Sequence, residues 1–260
     1  PEAGRAARGK AIVNFLEIGS NEKIAALIRV RDFPADRYLV FATEHGTVKK
    51  TSLSAFSNPR AGGIIAIRIE EGDRLIGVRE TSGNQEIMLI TRQGMSIRFH
   101  EEELRDQGRD TIGVRGITLG RENDAVVAVE VVNPNETLLC ISERGYGKRT
   151  AYDEYRRQSR GGKGVITMKT GDRNGYLVAA LSVHENDALM LITQAGQMIR
   201  IAVNDIRTIS RNTQGVRLIQ LEENDRLVSA TPVEPELGDD ESRTGEGGAA
   251  PAPDAGPAQP

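Results

Sequence analysis

A single cysteine, Cys140, stands in 260 residues, which excludes an internal disulfide framework and any thiolate-rich zinc site. Within the apolar run 137–141 it reads as a small buried hydrophobe. Tryptophan is absent and aromatic residues make up 4% of the chain, so a base-stacking platform for single-stranded nucleic acid is missing. Three histidines, His45, His100 and His184, follow neither HxxH nor HExxH spacing and spell no metal site. No apolar run approaches the ~18 residues of a membrane span, and no signal peptide opens the chain. Nothing has the pattern of a long helix, so no recognition helix is available for a major groove. Gly161-Gly162-Lys163-Gly164 looks like part of a phosphate loop, but Lys163 is not followed by the Ser or Thr that a Walker motif needs. No catalytic centre, metal or cofactor is legible, and the expected compartment is the cytosol.

What is present is enough to fold. Counting the 28 glycines with the apolar residues gives about 47%, inside the range of globular chains. The formal net charge of −3 conceals a division after Pro232. Residues 233–260 carry seven acids against one base, Arg243, together with five of the ten prolines and no aromatic residue. Such a segment cannot bury enough apolar surface to order itself and reads as a disordered acidic tail. The remaining 1–232 carries a net +3, a charge asymmetry that points to nucleic acid.

The body repeats itself. Corner glycines that precede short apolar strands recur at Gly9, Gly63, Gly113, Gly164 and Gly215, in steps of 54, 50, 51 and 51. A strand, a tight turn and a second strand ending in a cation recur around Gly46, Gly94, Gly145 and Gly196, in steps of 48, 51 and 51. Acidic turns at Gly72-Asp73, Asn123-Asp124 and Asn224-Asp225 precede further apolar strands. Runs of Val, Ile and Leu between glycine and Asx turns are the grammar of strands and hairpins. The segments Leu53–Phe56, Glu101–Leu104, Tyr152–Tyr155 and Val203–Ile206 could each add a turn of helix. Four-stranded units at this period form blade arrays, because one small sheet cannot bury its face alone. The expected fold is all-β and propeller-like, with four full units and a fifth begun at Gly215.

Positive charge recurs with the units. The hairpin anchor ends in Lys49 and Lys50, Arg98, Lys148 and Arg149, and Arg200; the corner anchor brings Arg8 and Lys10, Arg60, Arg109 and Arg115, Arg160 and Lys163, and Arg211 and Arg217. Equivalent positions on equivalent blades would trace a curved stripe of cations. Corner glycines would let backbone N–H groups approach a phosphate. The other reading is that strand-ending cations keep sheet edges soluble. A stripe of phosphate contacts without base readout suits bent duplex DNA bound with little sequence preference.

Gln158-Ser159-Arg160-Gly161-Gly162-Lys163-Gly164 resembles the gyrase A box, Q-[RK]-R-G-G-[RK]-G, at six of seven places, Ser159 being the departure. The phrases at 46–50, 112–117, 145–150 and 210–216 are likewise similar to the C-terminal domain of DNA gyrase A, and the likeness runs from about residue 3 to residue 230. It implies a β-pinwheel of about five ~50-residue blades over 1–232, whose neighbours exchange strands and whose basic rim wraps duplex DNA. It implies as partners the N-terminal part of gyrase A and the whole of gyrase B in an A2B2 holoenzyme. ATP, Mg and the catalytic tyrosine would lie in those parts, leaving this chain a non-catalytic, monomeric domain of the bacterial cytoplasm. Family members usually have six blades with the principal box in the first, whereas the first corner here, Arg8-Gly9-Lys10, looks like a second blade. Gln158, Arg160, Gly161, Gly162, Lys163 and Gly164 would then form a box copy in a later blade. The rival readings are the corresponding domain of topoisomerase IV and a propeller used as a protein scaffold.

Overall fold

The computed structural model describes residues 19, 22–60 and 62–233. Arg8, Lys10 and 234–260 lie outside them, as does nearly all of the expected tail. The last described strand ends on Val233.

Among the described residues fifteen strands follow one another with short 3-10 turns between some of them, and no α-helix occurs. Each repeat contributes one hairpin: β1 (Tyr38–Thr43) with β2 (Thr47–Ser52), β4 (Glu86–Thr91) with β5 (Met95–His100), β8 (Thr137–Ser142) with β9 (Tyr146–Ala151), and β12 (Ala188–Thr193) with β13 (Met198–Ala202). The third strand of each sheet comes from the next repeat: β3 (Leu75–Thr81), β7 (Val126–Val131), β11 (Leu177–Val183) and β15 (Leu227–Val233). The fourth comes from the repeat after that, as the two-residue strands β6 (Val114–Arg115), β10 (Val165–Ile166) and β14 (Val216–Arg217). The orders are therefore β3-β1-β2-β6, β10-β5-β4-β7 and β11-β8-β9-β14, with a three-stranded β13-β12-β15 at the end. Against about five blades expected, the described residues form four sheets, each drawing on up to three successive repeats. The anticipated helical turns are present as 3-10 turns at Leu53–Phe56, Glu101–Glu103, Tyr152–Glu154 and Val203–Asp205.

The hairpin turns explain their sequence. In each, the glycine N–H donates to the carbonyl of the residue three before it, at 3.0 Å for Gly46, Gly94, Gly145 and Gly196. All four glycines take positive φ, between 77° and 88°, which costs a residue without Cβ nothing. The acidic turns clamp these hairpins from the following repeat. Asp73 Oδ1 accepts from His45 N–H at 2.9 Å, Asp124 Oδ1 from Gln93 N–H at 2.8 Å, and Asp225 Oδ1 from Ala195 N–H at 3.1 Å.

Sheets stack through β3, β7, β11 and β15, each against the next. Side chains alternate between the two gaps. Ile87 and Leu89 of β4 pack with Val40 and Val48 of the first sheet, while Met88 and Ile90 pack with Leu138 and Cys140 of the third. Strands buried on both faces read as unbroken apolar runs, as β4 and β8 do. The two ends of the array differ. The outer face of the first sheet is covered by Ile28, Val30 and Phe56, whereas Met198 and Val228 of the last sheet are exposed.

The corner glycines measure how far strand exchange has gone. A Cβ on Gly164 would collide with the Ser96 carbonyl, and one on Gly113 or Gly215 would press on the carbonyl of Val48 or Gly147. Among the described residues nothing would meet a Cβ on Gly63, nor one on Gly196 in the last hairpin. Gly63→Ala should cost about 1–2 kcal/mol for left-handed backbone alone. Gly164→Ala should cost at least about 2 kcal/mol more, because its added methyl must also separate β10 from β5. Equal midpoints for the two variants in denaturant titrations would contradict strand exchange at this glycine.

Candidate nucleic-acid interface

Contrary to the sequence expectation, the hairpin cations are buried in the first and third sheets and half-buried in the second. Lys49, Lys50, Lys148 and Arg149 are all buried, with Lys148 at 0% exposure. Lys49 Nζ donates to the Ala66 carbonyl at 2.8 Å and also to that of Arg109. Lys148 Nζ donates to the carbonyls of Ser210 and Arg211, both at 2.6 Å. The cation one place further on ties each hairpin to the 3-10 turn of the next repeat. Lys50 Nζ donates to the Glu101 carbonyl at 2.9 Å, Arg98 Nη1 to that of Tyr152 at 2.7 Å, and Arg149 Nε to that of Ile206 at 2.7 Å. Arg98 also pairs with Glu86. The Glu101 and Tyr152 carbonyls already accept from Leu104 and Tyr155 N–H, and the long side chain, its apolar stem laid through the sheet gap, adds a second donor to the remaining lone pair. Arg200, at the same place in the last sheet, is exposed. Lys49, Lys50, Arg98, Lys148 and Arg149 are thus inter-sheet ties and form no outward stripe.

The corners behave differently, because consecutive corners bond to one another. Arg68 N–H donates to the Thr111 carbonyl, Thr118 N–H to Gly162 and Lys169 N–H to Thr213, each at 2.9 Å. The arginine four residues before each corner glycine strengthens the series. Arg160 Nη1 donates to the Arg115 carbonyl at 3.1 Å, Arg211 Nη1 to that of Ile166 at 2.6 Å, and Arg109 Nη1 weakly to that of Ile65 at 3.5 Å. Four corners thereby become one continuous belt. Arg109, Arg160 and Arg211 are half-buried in it, while Arg60, Arg115, Lys163 and Arg217 are exposed.

Within the box-like segment the residues divide the same way. Gln158 N–H donates to the Arg98 carbonyl at 2.8 Å and Gly161 N–H to that of Gly116 at 2.6 Å. Gly161 and Gly164 take φ of 80° and 75°. Arg160 is further held by Glu103, whose carboxylate accepts from Arg160 N–H at 2.9 Å and whose carbonyl accepts from Arg160 Nε at 3.1 Å. Gly162 and Lys163 are exposed, which leaves the Lys163 ammonium facing solvent.

Sequence reasoning passed over a second set of belt cations. Arg105, Arg156 and Arg207 each stand eight residues before a corner glycine, and Arg157 follows Arg156; all four are exposed. The same period that marked the corners marks them, and attention to the glycine flank alone hid it. Cys140 is buried as expected, and burial pushes its thiol up to about 11, which suppresses the reactive thiolate. Among the described residues no group of three or more His, Cys, Asp or Glu side chains could hold a metal ion.

The chain matches the family described as DNA gyrase C-terminal domain, beta-propeller, over residues 1–31, 37–82, 85–133, 136–184 and 187–234. It belongs to that family. It is 42% identical over 247 residues to the DNA gyrase A protein of Chlamydia pneumoniae, a match that spans 94% of this chain and 30% of that protein. The chain thus spans less than a third of that relative's length. Among solved structures, the C-terminal domain of DNA topoisomerase IV superposes with a TM-score of 0.80 at 28% identity, covering 87% of this chain and 71% of the other. A DNA gyrase A C-terminal domain superposes at 0.78 with 26% identity, covering 87% and 75%.

Burial pushes the Lys148 ammonium down to about 8, against about 10.4 for an unperturbed lysine. Between these values the unfolded chain holds a proton that the folded chain has released, so stability rises with pH. The contribution is complete above about 10.5 and is lost as pH falls to about 8. Lys148→Met should destabilise the fold by about 1–3 kcal/mol at neutral pH through loss of the charged hydrogen bonds to the Ser210 and Arg211 carbonyls. Its deficit against the unsubstituted chain should widen toward pH 10 in urea melts; a gap that narrows would refute the assignment.

Proposed function

We propose that this chain is the non-catalytic DNA-binding and DNA-wrapping domain of a gyrase A protein, gripping duplex DNA along the corner belt. The observation that carries this reading is the hydrogen-bonded continuity of the corners, combined with exposed cations at equivalent places along them. Arg105, Arg156 and Arg207 recur once per unit, and Arg60, Arg115, Lys163 and Arg217 accompany them. A series of like-placed cations on a rigid belt contacts the phosphates of a bent duplex without reading bases. Bending is costly, since the persistence length of DNA is about 150 bp. Only many contacts spread along an arc offset that cost, and each neutralised phosphate releases counterions. Family membership and the likeness to gyrase A support the same reading.

In this proposal the chain supplies the wrap, and the ATP-dependent strand passage that turns a wrap into negative supercoiling belongs to the rest of gyrase A and to gyrase B. The bacterial cytoplasm is the corresponding location. The acidic 233–260 segment would compete with phosphates for the belt.

Replacing Arg105, Arg156 and Arg207 together with Ala should weaken binding to all duplex sequences alike and flatten the log–log salt dependence by up to about three units. The same measurement on Lys148→Met, read on folded protein, should leave the slope unchanged. An unaltered slope in the triple variant, or a loss confined to one sequence, would overturn the belt. A FRET bend assay on a ~150 bp fragment separates wrapping, with its ends drawn together, from the straight binding of a simple scaffold.

A further inference from the structure

The third hairpin breaks the repeat. Where Asp73, Asp124 and Asp225 clamp their hairpins, the corresponding place is Gly175, and the clamp is reversed. Glu143 of the hairpin accepts from Tyr176 N–H at 3.0 Å, and Arg144 donates to the Asp172 carbonyl. The loop 171–175 carries Arg173 instead. Its guanidinium carbon lies 5.1 Å from the centroid of the Tyr146 ring, and that of Arg217 lies 5.5 Å from the same centroid. Arg217 Nη2 donates to the Tyr146 hydroxyl at 3.0 Å. The two arginines hold the phenol below its ordinary value.

Two guanidinium groups therefore converge on one phenol oxygen at the wall of a cleft of about 680 Å³. Among the described residues neither makes an ion pair. Of the three carboxylates lining the cleft, Glu143 holds Tyr176 N–H and Asp225 holds the N–H groups of Ala195 and Arg226, while Glu222 is exposed and pairs with neither arginine. A guanidinium has five donors, and a single hydroxyl oxygen leaves most of these ten unspent. The placement is also rigid. Buried Asn174, next to Arg173, donates to the carbonyls of Lys169 at 2.8 Å and Gln214 at 3.2 Å, which ties the loop to the corner bearing Arg217.

We propose that Arg173 and Arg217, held over Tyr146, form an oxyanion site that seats one backbone phosphate of the bound duplex. Planar forks at fixed positions recognise phosphate by paired hydrogen bonds, and Arg217 belongs to the belt, so the site would pin the duplex at the third sheet. This rests on the reading of the chain as a duplex binder.

The test uses the 260-residue chain with a short mixed-sequence duplex and, separately, inorganic phosphate. Arg173→Ala should weaken duplex binding about tenfold and lower the salt slope by about one unit, with an unchanged melting temperature. Arg156→Ala serves as the belt control. Arginine side-chain NMR signals of Arg173 and Arg217 should shift on adding duplex. Wild-type affinity and slope in Arg173→Ala, while Arg156→Ala is weakened, would overturn this site and leave the belt standing. If the unsubstituted chain itself fails to bind duplex, the belt falls, and the site as a DNA contact falls with it. Shifts that appear with inorganic phosphate and not with duplex would assign the site to a free oxyanion and overturn the DNA contact.

Discussion

Two-residue strands carry this architecture. Val114–Arg115, Val165–Ile166 and Val216–Arg217 each complete a sheet whose hairpin lies two repeats upstream, and they reach it only because a glycine immediately before them lets backbone meet backbone. Once seated, each corner lies beside its neighbours and bonds to them. The apolar gaps between sheets are closed by the same exchange, since a hairpin supplies side chains to both of its neighbours. Stability in such an array is a sum of nearest-neighbour terms. Among the described residues Gly63 and Gly196 have space around them, and the last sheet presents Met198 and Val228 to solvent.

Positive charge does two jobs in the chain, divided by what each cation meets. Burying an ammonium or guanidinium is costly unless its donors are matched. The carbonyls of the 3-10 turns and of the corners provide that match for Lys50, Arg98, Arg149, Lys49 and Lys148. These five hold successive repeats together across the gaps between sheets. The corner cations face the other way because the corner backbone has already been satisfied by the adjacent corner, which leaves Arg115, Lys163 and Arg217 in solvent. Arg160 stands between the two roles, its guanidinium spent on Glu103 and Arg115 while its neighbour Lys163 is exposed. A charge-based reading of a box-like motif therefore needs to treat its arginine and its lysine separately.

The third sheet shows how a small break in a repeat creates something local. Losing the clamp aspartate at Gly175 removes the carboxylate that would sit by the hairpin turn. Glu143 then holds Tyr176 N–H, Asn174 ties the loop to the corner, and Arg173 is brought to the face of Tyr146 beside Arg217. Tyr146 carries no charge and Arg173 belongs to no repeated anchor, so periodic cations point to neither. Only the convergence of a loop, a hairpin and an exchanged strand reveals them.

Periodicity was enough to read the kind of elements and the length of the repeat. Glycine at the turns, aspartate in the clamps and unbroken apolar runs such as Leu138–Ile141 are local demands of hairpins and doubly buried strands, and local demands are written in neighbouring residues. The 3-10 turns and the burial of Cys140 were legible for the same reason. Which cations face inward was not legible, because Lys49 and Lys163 occupy equally regular places in the chain. Their fates depend on whether a carbonyl from a repeat some fifty residues away arrives within hydrogen-bond reach. That arrival is set by strand exchange between distant repeats, a long-range pairing that no local pattern encodes.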